Sequence, residues 1–373
     1  MKPTLRASII GKNRKKMITD KLTYCWLWSC LIAGGLLLTG CADSSEGDPM
    51  PEPEPEQQGS PLMLRSVTRT EGATQIEGAE CPVIKALLTS ASDKLQIGTF
   101  SYSDTGWEST LSVKEERQYY LYGFMPKSID ENKPAADSVA FTKPEDVDFS
   151  EGIDMTFKNL PAITNTDICV VIGVQRLESE NAAPANVKEG DFSYLSGIVG
   201  KNYVNLLMGH LYAGLELQFK IGSDYAQLRS IRLKEIKLKY ANSQVNATVK
   251  LRKDKGIDEA TFTDASGSEQ EMTILSTETV LDKNYINSPL VIPNVAYCYP
   301  SIFGQQASLS ITTKYDVYDR KVNLGERTSV NTLRIEAAAL KPGQKKAVIL
   351  TVQPTYLYVL SDEDLDNPVI TIN

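Results

Sequence analysis

The sequence predicts an all-β protein, two tandem β-sandwiches behind a secretory leader and a disordered tether. Three observations predict this. Apolar and polar residues alternate at period two through much of the chain after residue 75, the pattern of half-buried strands. Turn-forming clusters such as Ser103-Asp-Thr-Gly106, Asp264-Ala-Ser-Gly267 and Lys341-Pro-Gly343 punctuate these runs at intervals of roughly ten to fifteen residues. After the leader, no helix-period stretch of about a dozen residues stands out. The only helical candidates are short, around Ala135–Ala140 and Val204–Tyr212.

The first element is the leader, residues 1–40. It carries seven Lys/Arg and a single acid, Asp20. With that +6 taken from the total of −8, the rest of the chain carries −14. A body so acidic repels phosphate backbones, which argues against nucleic acid as a partner. From Leu22 to Cys41 no residue is charged. An apolar run of ~20 residues suffices to cross a bilayer; a basic start, apolar middle and small-residue ending make a secretory signal. The ending Leu38-Thr-Gly-Cys41 favours the second reading. It resembles the lipobox of bacterial lipoproteins, which implies that Cys41 bears diacylglycerol and an acyl chain such as palmitate and becomes residue one. A start at Met17 gives a more compact leader than Met1.

Residues 41–74 form the second element, a lipid-anchored tether with a candidate cleavable segment. Its part from 42 to 61, ADSSEGDPMPEPEPEQQGSP, has almost nothing apolar to bury and stays extended. Of six cysteines, Cys25 and Cys30 fall in the leader and Cys41 takes the lipid. Cys81, Cys169 and Cys298 remain, odd in number and far apart, which fits neither a disulfide framework nor a zinc pattern. They read as small buried hydrophobes.

The body follows, with an N-terminal sandwich at 75–240 and a C-terminal one at 241–373, divided at the polar stretch Tyr240-Ala-Asn-Ser-Gln244. Leu215–Ile221, Val245–Arg252, Leu309–Val317 and Val348–Val352 alternate cleanly. Ile231–Tyr240 changes phase at Glu235–Ile236, which predicts a β-bulge in a strand. A helix there is the alternative, because Lys, Leu and Glu all favour it.

Residues for catalysis are scarce, and the chain reads as a non-enzyme. The one histidine, His210, argues against a His-based triad and excludes a multi-His metal site; it reads as a residue bonding neighbouring backbone. Asp362, Asp364 and Asp366 have the spacing of a calcium loop, but Asn367 and Asn373 stand where an EF-hand needs glycine and glutamate. No metal and no cofactor beyond the lipid at Cys41 is therefore expected. Among 17 tyrosines, the clusters Tyr119–Tyr122 and Tyr356–Tyr358 could stack on sugars, but in alternating strands such residues more often pack inward.

Leader, tether and two sandwiches together, with the stretches Tyr119-Tyr-Leu-Tyr-Gly-Phe-Met-Pro126, Met208-Gly-His-Leu-Tyr212 and Pro354-Thr-Tyr-Leu-Tyr-Val-Leu-Ser-Asp362 running on to Pro368-Val369, resemble the fimbrillin-like (Mfa-like, FimA-type) lipoproteins of type V pili. The resemblance covers about residues 41–373. It implies transthyretin-like sandwiches, an outer-membrane lipoprotein at the cell surface, and a structural and adhesive fimbrial subunit assembled by donor-strand exchange. Partners would be other fimbrial subunits joined by β-strand addition, the outer membrane through the lipid, and a host or bacterial surface ligand. Processing would fall at Arg65 or Arg69, and the donor strand would be carried by Tyr356, Tyr358, Leu360, Ile370 and Ile372. Stalk, tip and anchor roles stay open, and the alternative function is a surface glycan-binding lipoprotein.

Overall fold

The structure is a computed structural model that describes residues 59–70, 75–76, 78–145, 148–182, 186–265, 267–302, 309–333, 340–352 and 369–372. It is almost entirely β. The longer strands of the first half are β1 (Met63–Arg69), β2 (Ile84–Thr89), β3 (Gln96–Ser103), β4 (Gly106–Ser109), β5 (Gln118–Met125), β6 (Gly152–Pro161), β7 (Cys169–Leu177) and β8 (Tyr203–His210). The second half adds β9 (Ala213–Ile221), β10 (Ser230–Tyr240), β11 (Gln244–Arg252), β12 (Gly256–Ala265), β13 (Gln270–Leu275), β14 (Leu290–Cys298), β15 (Leu309–Asp319), β16 (Val322–Leu333), β17 (Lys345–Val352) and β18 (Val369–Ile372).

The largest sheet runs β1-β8-β7-β5-β2-β3-β4, with Gln75–Ile76 outside β1. Its central strands are buried on both faces, so their sequences are nearly continuous apolar runs rather than alternating ones. In β2, Ile84, Ala86 and Leu88 enter one core while Leu87 enters another. In β7, Cys169 and Val171 face the first core, Val170 and Ile172 the second. The first core also takes Leu62, Leu64 and Val67 from the start of the body.

The second core extends from that sheet through the rest of the molecule. It collects Ile153, Met155 and Phe157 of β6, alternate residues of β9, β10, β11 and β15, and Val348, Leu350 and Val352 of β17. Three further sheets surround it: β12-β11-β6 with Ala140–Thr142, β14-β9-β17-β18 with Ile163–Thr164, and β13-β10-β15-β16.

The division expected at residue 240 does not follow the strand pairing. Strand β6 pairs with β11, and β9 and β10, which precede the expected boundary, pair with β14, β17, β13 and β15, which follow it. The stretch 241–243 is instead a corner between two sheets that share the second core: Tyr240 ends β10, Gln244 opens β11, and Leu238 and Val245 are both fully buried. A corner is polar for the same reason a linker is, because its backbone faces solvent.

The alternating segments form strands. Burial in β11 alternates without a break, and Ile231–Tyr240 is strand, with its register against β15 shifting between Leu233 and Glu235. The helical expectation at Val204–Tyr212 is overturned by β8, and Ala135–Asp137 forms one turn of 3-10 helix. Among the described residues the one α-helix is Ser223–Leu228.

One polar link ties the second core to the surface. The hydroxyls of Tyr240 and Tyr299 lie 2.9 Å apart, and Tyr299 donates to Asp264 Oδ1 at 2.6 Å. Tyr299→Phe leaves the buried Tyr240 hydroxyl without its partner, while the exposed Asp264 turns to water, and is expected to cost about 1 kcal/mol, read as a lower urea midpoint at unchanged slope.

Candidate functional site: the first strand and its groove

The chain enters the body as an extended plug. Ser60–Pro61 pairs antiparallel with Ser112–Val113. The Leu62 amide donates to the Leu111 carbonyl at 2.9 Å, and the Met63 amide to Asn202 at 2.8 Å. Strand β1 then lies parallel to β8, and the Thr70 amide closes the run on the Met208 carbonyl at 3.0 Å. Only one other described pairing, β9 with β17, is parallel. Among the described strands, β1 pairs on its outer side with Gln75–Ile76, so it sits one place from the end of that sheet.

Side chains lock the plug at several points. Leu62 and Val67 are fully buried and Leu64 nearly so. Two buried asparagines hold its hydroxyls: Asn202 Nδ2 donates to Ser60 Oγ at 2.8 Å, and Ser66 Oγ donates to Asn205 Oδ1 at 2.7 Å. Register places Leu64 opposite Val204 and Ser66 opposite Asn205, so Arg65 is the extra residue of a β-bulge, with its side chain exposed.

The second candidate processing residue has a different setting. Arg69 ends β1 and places a guanidinium nitrogen 3.7 Å from Asp167 Oδ2. Asp167 is buried and also lies 2.6 Å from His210 Nδ1, and Cys169 Sγ approaches the same nitrogen at 3.6 Å. His210 was expected to bond backbone; it bonds a carboxylate instead, because register sets Cys169 directly across from His210 with Asp167 just before β7. Burial pushes the Cys169 thiol well above its ordinary range and holds the Cys81 thiol at about 11. A nucleophilic relay needs its base to use two different ring nitrogens. Here acid and thiol approach the same one, which is not the geometry of a catalytic triad.

The other expected site residues divide. Cys41, Tyr356, Tyr358 and Leu360 lie outside the described residues. Ile370 and Ile372 fall in β18, which pairs antiparallel with β17 of its own chain, Ile370 across from Leu350 and Ile372 across from Val348. Tyr119 and Tyr122 are buried, so this cluster packs inward and offers no platform. The exposed aromatic edge is elsewhere: Tyr102 and Trp107 meet edge to face at 5.3 Å in a cleft of about 270 Å³ beside β1 that Arg65 and Tyr203 also line. The Asp167–Cys169–His210 cluster was missed from sequence, since residues 41 and 43 positions apart meet only through the β7–β8 register.

No family model and no curated protein matches the chain. It is similar to solved fimbrial structures. A fimbrial protein from Bacteroides vulgatus shares 12% identity over 83% of this chain and 98% of its own, at a TM-score of 0.46. The fimbrial anchor protein Mfa2 from Porphyromonas gingivalis shares 11% over 84% of this chain and 97% of its own, at 0.28. Neither likeness assigns a function to this chain.

Proposed function

We propose that this chain is a fimbrial subunit, exported as a lipoprotein through Cys41, whose first strand is a removable plug. The observation that carries the reading is β1 itself. It follows the Pro/Glu-rich stretch of the sequence, contributes Leu64 and Val67 to a core that strands β2, β5, β7 and β8 also build, and has an arginine at its bulge and another at its end. Cutting after Arg69 detaches the whole plug. Cutting after Arg65 removes Leu62 and Leu64 but leaves Val67 seated. Either cut opens the flank of β8 with its backbone groups and the pockets of the buried side chains, a surface fitted to an incoming strand. The strand would come from the 356–373 segment of a neighbouring subunit. With β18 on its own sheet, a copy in this state receives a strand rather than giving one, which supports a place at the end of a fibre.

The test is on cells. Arg65→Ala with Arg69→Ala is expected to abolish SDS-resistant polymers containing this subunit and to leave an uncut N-terminus in the surface protein. The single substitutions separate the two cut points. Polymers formed unchanged by the double variant would overturn the reading.

A further inference from the structure

At the end of β1, three donor atoms of different chemistry converge on one point. His210 Nδ1 lies 2.6 Å from Asp167 Oδ2 and 3.6 Å from Cys169 Sγ. All three ligand-type atoms lie within 4.8 Å of one another. In a four-coordinate site with bonds of ~2.0–2.3 Å, ligand atoms stand roughly 3.3–3.8 Å apart, so small rotations of these side chains would bring them around a single ion. A second observation concerns the carboxylate's other oxygen. Asp167 Oδ1 is buried without a hydrogen-bond partner, a costly state for an acceptor unless positive charge meets it. Arg69 does not relieve it, since its contact is to Oδ2, at 3.7 Å, and its own buried Nε is also unpartnered.

We propose that Asp167, Cys169 and His210 bind one divalent transition-metal cation of the zinc class. A thiolate–imidazole–carboxylate set selects such ions over calcium or magnesium, which take oxygen ligands. Loading releases the Cys169 thiol proton to solvent and takes the imidazole as the neutral tautomer, with Nδ1 toward the ion and the ring proton on Nε2. The resulting thiolate and carboxylate together balance the two charges of the ion, Oδ1 shares in facing that charge, and a water would take the fourth position. The site departs from the expectation of no metal, which rested on the single histidine, the cysteine spacing and the incomplete calcium loop. It joins the segment before β7 and the ends of β7 and β8, and it does not depend on the assembly reading.

The experiment uses the full chain in detergent, purified without a histidine tag and with its thiols reduced, and cobalt(II) as the probe. One equivalent is expected to give thiolate-to-cobalt charge-transfer absorption and a four-coordinate visible spectrum, both displaced by zinc. Cys169→Ser and Asp167→Asn are expected to lose both signals. Independently, zinc at about a hundred times its dissociation constant is expected to raise Tm by roughly 5 °C, with calcium inert. No thiolate band at one equivalent, or a band that persists in Cys169→Ser, overturns the site. If the variants do not fold, the unaltered chain decides: a Tm indifferent to zinc overturns it as well.

Discussion

A chain beginning at Thr70 is expected to unfold some ~10–20 °C below the chain that keeps its first strand, on the usual scaling of Tm with stability. The lost segment buries Leu62, Leu64 and Val67. At ~1.5–3 kcal/mol for each fully buried aliphatic side chain, that is about 5–9 kcal/mol, a large part of the ~5–15 kcal/mol that holds a domain folded. Deletion also strands the backbone of β8 along one side and leaves the buried Asn202 and Asn205 without Ser60 and Ser66. Both losses can be restored in trans. A synthetic peptide spanning residues 60–70, added to the truncated chain, is expected to recover most of the lost Tm. The same peptide carrying Val67→Asp should not, since it would bury a carboxylate with no partner. Scanning calorimetry with peptide titration reads both. A truncated chain as stable as the intact one would show that β1 decorates the sheet without completing it, and the plug reading would fail with it.

What the sequence showed and what it hid have one physical origin. Where a strand has one wet face, alternation is printed in the residues. β11 was legible for that reason, and so was β10, whose phase change marks a real shift of register. Where both faces are buried, the pattern fills in. β8 has apolar or buried residues at most positions and so lost its period; a short helix was a candidate where this buried strand lies. Partnership between strands is set by tertiary packing. The corner at 241–243 therefore looked like a linker, although it joins two sheets over one core. The site follows the same logic. Arg65 and Arg69 were visible as arginines behind a tether, whereas the bulge that exposes one and the carboxylate that engages the other appear only once β1 is laid against β8.

Gly152→Ala is expected to be among the most damaging single substitutions in the body, at about 3–5 kcal/mol, in the range where a named steric mechanism is required. Gly152 opens β6, pairs with Arg252 of β11 and has φ +130°. A Cβ built there lies 2.0 Å from the Leu251 carbonyl oxygen and 3.0 Å from the Arg252 Cα. Both atoms are backbone, so no rotamer change makes room, and the end of the β6–β11 pair has to open. That opening reaches the second core, because Ile153 and Leu251 are fully buried beside it. Gly106 supplies the control. It has a comparable φ of +111° at the first residue of β4, just after the turn from β3, but a Cβ there meets nothing within 4 Å. Gly106→Ala carries only the backbone strain, about 1–2 kcal/mol. Urea unfolding of the two variants separates conformation from close approach: the excess cost of Gly152→Ala measures how tightly β6 is pressed on β11. Equal costs would mean that the pair yields freely there, and β6 would then be a poor candidate for the strand that joins the early and late parts of the chain.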